Sequence, residues 1–252
     1  MNDHQHQPNR RMKIRPFTAL KAVRNVLNDP EQTSQVFRVL QALSGPSLSK
    51  NFNRFCTTEV GNRVLTDKLD LVAKLNNPDY LQSLPDHSLG HTYYRFINRE
   101  QISAGGLEEA SAEANAEDGY SPVASNQQSN ADFDLFVRRT RASHDLFHVL
   151  TRYGRDPLGE ACLLAFTYGQ TKNIAFPFIL LSAARRLYQG AGITVFGALW
   201  RGYRDGKKAG WLLAADWETL LEQPLEKVRD SYSIPAPERY QRLAADLAQA
   251  SA

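Results

Sequence analysis

Apolar side chains recur three or four residues apart along most of the chain, which is the spacing of one face of an α-helix. No stretch alternates between apolar and polar residues clearly enough to predict a β-strand. The pattern therefore predicts an all-α protein, a single multi-helix bundle of roughly eight to ten helices. The segments with helical spacing are 17–28, 34–43, 59–75, 89–99, 133–153, 157–170, 174–188, 193–204, 216–230 and 237–250.

One internal segment, residues 103–131, lacks this apolar pattern. It is rich in Gly, Ala, Ser, Asn and Glu, and it contains no Lys or Arg. A segment of this composition buries too little apolar surface to offset the entropy lost on ordering. We expect a mobile polar loop there, within a single helical domain at 16–252 that follows a disordered tail at 1–15.

The segment from 163 to 200 is apolar on more than one helical face. Helices of this kind are buried in a core, or they line a cavity for an apolar ligand. Core packing explains most of these residues. A long apolar ligand is the alternative, because Pro177 is expected to kink its helix and three glycines between 190 and 197 remove bulk nearby. The candidates for lipid binding are Phe176, Phe178, Leu181, Phe196 and Trp200.

Composition changes this picture little. The chain of 252 residues can bury a substantial core and carries a formal net charge of +3. We find neither an apolar run of membrane-spanning length nor the apolar core of a secretion signal. Cys56 and Cys162 lie far apart, which fits a reducing cytoplasmic compartment better than a disulfide framework.

Positive charge is concentrated in two places. Residues 10–24 predict a basic amphipathic helix, which suits either an anionic membrane surface or, slightly better, an ordinary surface helix. A second cluster at 200–208 makes Arg201, Arg204 and Lys207 candidates for contact with a lipid headgroup or another anion. A solvated helix end explains that cluster equally well. No recognised nucleic-acid motif accompanies it, so we expect no nucleic-acid partner.

The strongest chemical signal is a His-Asp-x-x-His motif at 144–148. At about 100° per residue, His144, Asp145 and His148 fall on one face of a helix. Two histidines four residues apart also occur by chance on many helices, so the pair alone is a weak signal. An adjacent carboxylate makes the motif more specific for a metal ion.

A second carboxylate is predicted to return to this face. Gly154 suits the left-handed residue just past a helix end, and Asp156-Pro157 is typical of a helix start. Glu160 then lies in the opening turn of the next helix, one position too late for a capping box. A tight turn between antiparallel helices would fold Glu160 back towards the two histidines.

Mixed imidazole and carboxylate ligands suit Zn²⁺, with Fe or Mn as alternatives. The motif is not His-Glu-x-x-His, and the shorter Asp145 in place of Glu argues against a zincin-type peptidase.

Several motifs together resemble a known family. The His-Asp-x-x-His motif is followed after eleven residues by Glu160, a highly specific spacing. The supporting pieces are Leu84-Pro85, Leu89-Gly90-His91-Thr92-Tyr93-Tyr94-Arg95-Phe96, Asp216-Trp217-Glu218 and Pro224-Leu225-Glu226-Lys227-Val228-Arg229. From about residue 78 to 234 the chain resembles the Coq-four family of coenzyme Q (ubiquinone) biosynthesis. Thr140 departs from the family pattern, which commonly has Tyr in an Arg-Tyr-Arg segment there.

The resemblance implies an all-helical protein that binds a divalent metal, usually zinc, at His144, Asp145, His148 and Glu160. It also implies a polyprenyl-lipid pocket, peripheral attachment to a membrane (the inner membrane in bacteria), and association with other coenzyme Q biosynthesis enzymes. A homo-oligomer is compatible with it. The implied reaction is loss of the C1 carboxylate from a polyprenylated 4-hydroxybenzoate-type precursor, in one version coupled to hydroxylation of that carbon. The chain would then be a carbon–carbon lyase.

The residues leave the division of roles open. His144, His148 and Glu160 are the firmest ligand candidates, while Asp145 would be a fourth ligand, orient a histidine or shuttle a proton. We take Asp145 and His148 as the catalytic candidates. A non-catalytic lipid-binding scaffold for a coenzyme Q biosynthetic complex is the main alternative. A metal-dependent hydrolase related only by the motif is a third, although the additional His and Asp ligands usual in phosphohydrolases are missing.

Overall fold

The computed structural model describes residues 43–102 and 127–250. Within these ranges the chain contains twelve α-helices, one short 3-10 helix (Leu212–Ala214) and no β-strand, which confirms the all-α prediction. The α-helices are α1 (Gly45–Cys56), α2 (Glu59–Asp67), α3 (Leu71–Leu75), α4 (Pro78–Ser83), α5 (Leu89–Glu100), α6 (Gln127–Thr151), α7 (Pro157–Thr171), α8 (Ala175–Ala191), α9 (Thr194–Lys208), α10 (Trp217–Leu220), α11 (Leu225–Ser231) and α12 (Glu238–Ala250).

The described residues contain more helices than the eight to ten predicted, because two predicted segments each divide in two and two further helices lie outside the predicted segments. Segment 59–75 divides at Lys68, whose φ of 52° ends α2, and Asp70 then caps α3 through the amide of Ala73. Segment 216–230 divides before Pro224, because the residue before a proline is disfavoured in the helical conformation. The helices α1 and α4 lie outside every predicted segment.

Some predictions fall on the parts of the chain that the structure does not describe. The tail at 1–15, the basic helix within 10–24 and segments 17–28 and 34–43, except Leu43, lie there. So does most of the predicted loop at 103–131, but its last residues, 127–131, are helical and belong to α6.

The core forms where α6 meets the helices around it. Its largest fully buried side chains include Phe55, Tyr93, Phe136, Phe166 and Trp217. These residues come from α1, α5, α6, α7 and α10, so one core joins distant parts of the sequence. Helix α6, which carries the His-Asp-x-x-His motif and is called the metal-motif helix below, is therefore packed against helices on several sides.

Helices α7 and α9 pack with their backbones close together. A Cβ added at Gly206 would lie 2.1 Å from the carbonyl oxygen of Phe166, and one at Gly202 would lie 2.8 Å from that of Cys162. Such distances leave no room for any side chain, so this approach requires glycine. It fixes α9 directly against α7, the helix that carries Glu160.

A buried ion pair fastens α10 to α6. The guanidinium of Arg139, whose side chain is 2% exposed, donates to both carboxylate oxygens of Glu218 at 2.5 and 2.7 Å. It also donates to the carbonyl oxygen of Ala215 at 3.1 Å. Bidentate pairing of this kind fixes geometry as well as charge. The Asp216-Trp217-Glu218 motif thus has a structural role beside the metal-motif helix.

Candidate metal centre

The helix that carries the histidines ends differently from the prediction. It ends at Thr151, and Arg152, with φ of 60°, takes the left-handed position predicted for Gly154. Arg229 of α11 closes this helix end, because its guanidinium donates to the carbonyl oxygens of Val149 and Leu150 at 2.7 and 3.0 Å. These are carbonyls that a helix end leaves without an intrahelical partner.

Gly154 does not end the helix; instead, its lack of a side chain lets the side chains of Tyr240 and Asp156 approach the backbone there. A Cβ there would lie 2.6 Å from the hydroxyl oxygen of Tyr240 and 2.7 Å from a carboxylate oxygen of Asp156. The Gly154 amide donates to the Tyr240 hydroxyl at 2.8 Å, and that hydroxyl donates to Asp156 at 2.5 Å. The turn between α6 and α7 is thus pinned by a residue of the C-terminal helix.

The predicted start of α7 is confirmed. Asp156 is the N-cap, with its side chain accepting from the amides of Leu158 and Gly159 at 3.1 and 3.0 Å, and Pro157 is the first helical residue. This turn returns Glu160 to the histidine face of α6, as the sequence predicts.

Three of the four predicted ligands come together. One donor atom each from His144, His148 and Glu160 lie within 4.8 Å of one another. The Glu160 carboxylate lies 3.4 Å from His148 Nε2 and 3.9 Å from His144 Nε2. Ligands bound at about 2.1 Å to a tetrahedral ion lie about 3.4 Å apart. The spacing therefore fits a cation held between these groups after small side-chain adjustments.

One ring nitrogen of His148 is held by the backbone, and the other is directed at Glu160. It is 1% exposed, and its Nδ1 donates to the carbonyl oxygen of Tyr153 at 3.0 Å, which leaves the lone pair on Nε2. That Nε2 is buried and faces Glu160 without the geometry of a hydrogen bond. A buried ring nitrogen without a hydrogen bond is costly, and either a proton directed at Glu160 or a bound cation would satisfy it.

The charge of Glu160 also acts on His148. Burial lowers the pKa of His148, but the nearby Glu160 carboxylate, followed by the Tyr153 carbonyl and Asp145, raises it above its ordinary value overall. Protons and a cation therefore compete for the same ring nitrogen.

Asp145 lies beside the cluster rather than within it. It is 6% exposed, and its carboxylate lies 3.3 Å from His144 Nδ1, the ring nitrogen that does not face Glu160. A carboxylate in this position orients the imidazole and makes it a better ligand. The donor set of the described residues is thus two imidazoles and one carboxylate, which suits Zn²⁺ with an open position or Fe(II).

The predicted lipid-binding residues, apart from Phe176, are exposed to solvent and do not line a buried cavity. Leu181 of α8 is 73% exposed and Trp200 of α9 is 61% exposed, while Phe178 and Phe196 are about half exposed and Phe176 is partly buried. Ile193, between the two helices, is 72% exposed. We call Phe178, Leu181, Tyr188, Ile193, Phe196 and Trp200 the apolar surface.

Pro177 does not kink α8. It is the third residue of the helix, where the amide has no intrahelical partner to lose. The space expected beside a kink is therefore not created by this proline.

The predicted anion-contact residues differ in their environments. Arg201 is ion-paired to Asp205 at 2.8 Å, and this partner raises the pKa of Arg201. Arg204 and Lys207 are exposed on the same helix. None of these three residues lines the cleft of about 460 Å³ found among the described residues, which is lined mainly by charged residues such as Arg63, Asp70, Lys74 and Glu222.

The pinned turn makes a prediction about Tyr240. Tyr240→Phe removes the hydroxyl that bridges Gly154 and Asp156, so we expect unfolding to become easier by about 1–3 kcal/mol. Because Asp156 sets the position of Glu160, affinity for Zn²⁺ should fall roughly 10- to 100-fold. Titration with a zinc chelator measures it, with Tyr188→Phe on the apolar surface as the control. Unchanged zinc affinity would show that the turn holds its place without Tyr240.

Comparison with known proteins identifies the family. The model of the family described as "Coenzyme Q (ubiquinone) biosynthesis protein Coq4" matches residues 4–111 and 127–238. The mitochondrial ubiquinone biosynthesis protein COQ4 of Podospora anserina is 26% identical over 183 residues, which are 72% of this chain and 55% of that protein. Its counterpart in Talaromyces stipitatus is 28% identical over 182 residues, covering 72% and 58%. The chain thus spans less than two thirds of the length of these relatives.

A solved structure has the same fold. A crystal structure from Nostoc punctiforme superposes with a TM-score of 0.62 at 20% identity, over 89% of this chain and 100% of that one.

The helices can also be compared with the thickness of a membrane. Throughout 43–102 and 127–250, every helix is too short or too polar to span a bilayer.

The family model covers most of the sequence, so the resemblance inferred from the motifs is confirmed. The chain belongs to the Coq4 family of coenzyme Q (ubiquinone) biosynthesis proteins.

Proposed function

We propose that this chain is a carbon–carbon lyase that removes the C1 carboxylate from a polyprenylated 4-hydroxybenzoate-type precursor of ubiquinone. The observation that carries the proposal is the buried Nε2 of His148, which faces Glu160 and His144 without a hydrogen-bond partner in a chain of the Coq4 family. This group of two imidazoles and a carboxylate is suited to a divalent cation. Membership of the Coq4 family supports a role in ubiquinone biosynthesis.

His144, His148 and Glu160 would hold the metal, with Asp145 behind His144. When bound, the metal would supply a Lewis acid and a template for an oxygen of the head group. We propose Zn²⁺ as the metal, and the set of two histidines and one carboxylate also suits Fe or Mn as alternatives.

Residues of the chain would supply the proton that adds to C1 and would keep water away from the site. Protonation of the substrate phenolate at C1 gives a dienone; the carboxylate then leaves as carbon dioxide, and the electron pair of the broken bond restores the aromatic phenolate. Asp145 is a buried carboxylate beside the cluster and is our candidate for holding this proton. Phe96 covers His148, with ring centroids 5.8 Å apart and nearly parallel planes, and so keeps water from that side.

A direct assay tests this reaction. Purified, metal-analysed protein is incubated with a prenylated 4-hydroxybenzoate, with and without oxygen, and the product is examined by mass spectrometry. We expect loss of carbon dioxide. A product without oxygen indicates simple decarboxylation, whereas a hydroxylated product only in air indicates the oxidative version, which requires a redox-active metal or a partner because Zn²⁺ has no redox chemistry. An unchanged substrate under both conditions would contradict the proposal.

The apolar surface would hold the polyprenyl tail at a membrane. The exposed Trp200 of the apolar surface lies one turn before the cationic Arg204 on α9, with Lys207 one turn further on, a combination that suits an anionic lipid surface. We extend the proposal to peripheral attachment at this surface, on the cytoplasmic side of the inner membrane in a bacterium. Each buried methylene of a tail would contribute about 0.8 kcal/mol.

Charged substitutions on the apolar surface test this attachment. Leu181→Asp combined with Ile193→Asp should lower binding to vesicles containing an anionic phospholipid by at least about tenfold, because each residue would lose about 1.5–3 kcal/mol of burial. Vesicle flotation measures this binding, and Asn62→Asp combined with Thr66→Asp, both at exposed positions of α2, is the charge-matched control. Equal flotation of the double variant and the control would argue that another surface binds lipid.

A second candidate function is a scaffold that presents lipid intermediates to other coenzyme Q enzymes. The exposure of the apolar surface favours it, because such a surface suits partners as well as lipids. It predicts lipid binding and complex assembly without turnover by the purified chain, so the same assay separates the two candidates.

A further inference from the structure

Tyr93 carries a hydroxyl whose purpose the fold does not explain. The residue lies on α5 and is 0% exposed, yet its hydroxyl oxygen has no hydrogen-bond partner among the described residues. Buried hydroxyls are almost always hydrogen-bonded, and a phenylalanine would fill the same core position without that cost. The group is therefore a candidate for contact with something that binds nearby.

The neighbourhood of Tyr93 is the candidate metal centre. Phe96, one turn further along α5, stacks on the ring of His148, so this face of α5 lies against the motif face of α6. Burial raises the pKa of Tyr93, and the charge of Asp145 raises it further. Tyr93 lies one turn before Phe96 on α5, and the contact of Phe96 with His148 is the geometry that brings this part of α5 to the candidate metal centre.

The chemistry of this pair suggests a ligand oxygen. A phenol with a raised pKa stays protonated at neutral pH and remains a hydrogen-bond donor. An ionised aryl substrate near the metal ligands would meet the negative charge of Glu160. A buried neutral donor on the face of α5 that packs against α6 would offset part of that repulsion and would select ligands that offer an oxygen acceptor.

We propose that Tyr93 donates a hydrogen bond to an oxygen of the aryl acid head group bound at the metal centre, and so helps determine which head groups bind. The inference rests on the proposed function, since it takes the substrate to be an oxygenated aryl acid. It assigns a substrate contact to α5, on which none of the predicted ligands lies.

The variant Tyr93→Phe tests this contact by removing a single oxygen atom. Its thermal stability should match or exceed that of the unchanged protein, because no hydrogen bond within the described fold is lost. Its affinity for Zn²⁺ should be unchanged within about twofold. The affinity of the metal-loaded protein for 4-hydroxybenzoate, measured by ligand-observed NMR titration, should fall about 10- to 100-fold.

Two controls sharpen the result. Tyr94→Phe alters the neighbouring tyrosine, whose hydroxyl accepts from Gln82 and lies in a more exposed position, and it should leave head-group binding unchanged. Benzoate, which lacks the 4-hydroxyl, and phenol, which lacks the carboxylate, identify the oxygen that Tyr93 contacts. The ligand without that oxygen should bind Tyr93→Phe and the unchanged protein equally.

The outcomes separate this inference from the proposed function. If Tyr93→Phe binds 4-hydroxybenzoate as tightly as the unchanged protein, or if the unchanged metal-loaded protein does not bind it at all, the inference is wrong, even where decarboxylation is observed. If the variant loses head-group affinity but the unchanged protein does not decarboxylate any prenylated substrate, the contact stands and the proposed reaction fails.

Discussion

Replacement of His148 by alanine is expected to abolish specific metal binding and turnover while the helical fold persists. The substitution removes the most buried donor of the cluster, so affinity for Zn²⁺ should fall on the order of 100-fold or more, since even groups that only support a ligand contribute 10- to 100-fold. Truncating a buried side chain costs about 2–5 kcal/mol. A single domain of this size tolerates that loss if its stability lies towards the upper part of the usual 5–15 kcal/mol.

Metal content after dialysis, with circular dichroism to confirm folding, measures this result. His87→Ala is the matched control, because His87 is an exposed histidine outside the cluster. A His148→Ala protein that retains one tightly bound metal would show that these residues are not the ligands.

Replacement of Arg139 by alanine is expected to have the largest effect on stability. Arg139 and Glu218 form a buried, bidentate ion pair. Removing the Arg139 guanidinium leaves the charge of the Glu218 carboxylate without its partner. Breaking such a pair costs about 3–5 kcal/mol. In a protein of this size that loss should lower the melting temperature by about 6–20 °C.

The neighbouring arginine provides the control for this prediction. Arg138 is 45% exposed and lies 3.7 Å from the exposed Asp70, a surface contact worth about 0–1 kcal/mol. Thermal denaturation of Arg138→Ala should therefore shift little. Equal shifts for the two variants would mean that α10 is held by apolar packing alone.

The sequence predicts the grouping of the two histidines with Glu160, because the signals for it are local. The i, i+4 histidines and the Asp156-Pro157 cap depend on neighbours in sequence, and the structure brings His144, His148 and Glu160 together as expected. Family motifs such as Pro224 to Arg229 also acquire a physical role, since Arg229 closes the end of the metal-motif helix.

The parts that the sequence does not predict depend on distant contacts. Gly154 looks like a helix terminator, but its role comes from Tyr240, 86 residues away, and no local pattern reports such a contact. Tyr93 likewise reads as a core aromatic, and only its unpartnered hydroxyl distinguishes it.

Periodicity also fails where apolar residues are not buried. The spacing of Leu181 and Trp200 predicts helices, and both lie in helices, yet the spacing alone cannot show that these side chains face outward. An apolar helix face is typical of a face that packs against other apolar groups. Those groups can belong to a lipid or to another protein as well as to the same chain.

The most direct test of the central claim is a plot of turnover against metal content. Protein stripped by chelation is reloaded in steps with Zn²⁺, Fe(II) or Mn²⁺, the bound metal is quantified, and carbon dioxide release from a prenylated 4-hydroxybenzoate is followed at each step. We predict that turnover rises in proportion to bound metal, reaches its maximum near one equivalent, and is absent in the stripped protein. Equal turnover by stripped and reloaded protein would contradict a catalytic metal at His144, His148 and Glu160.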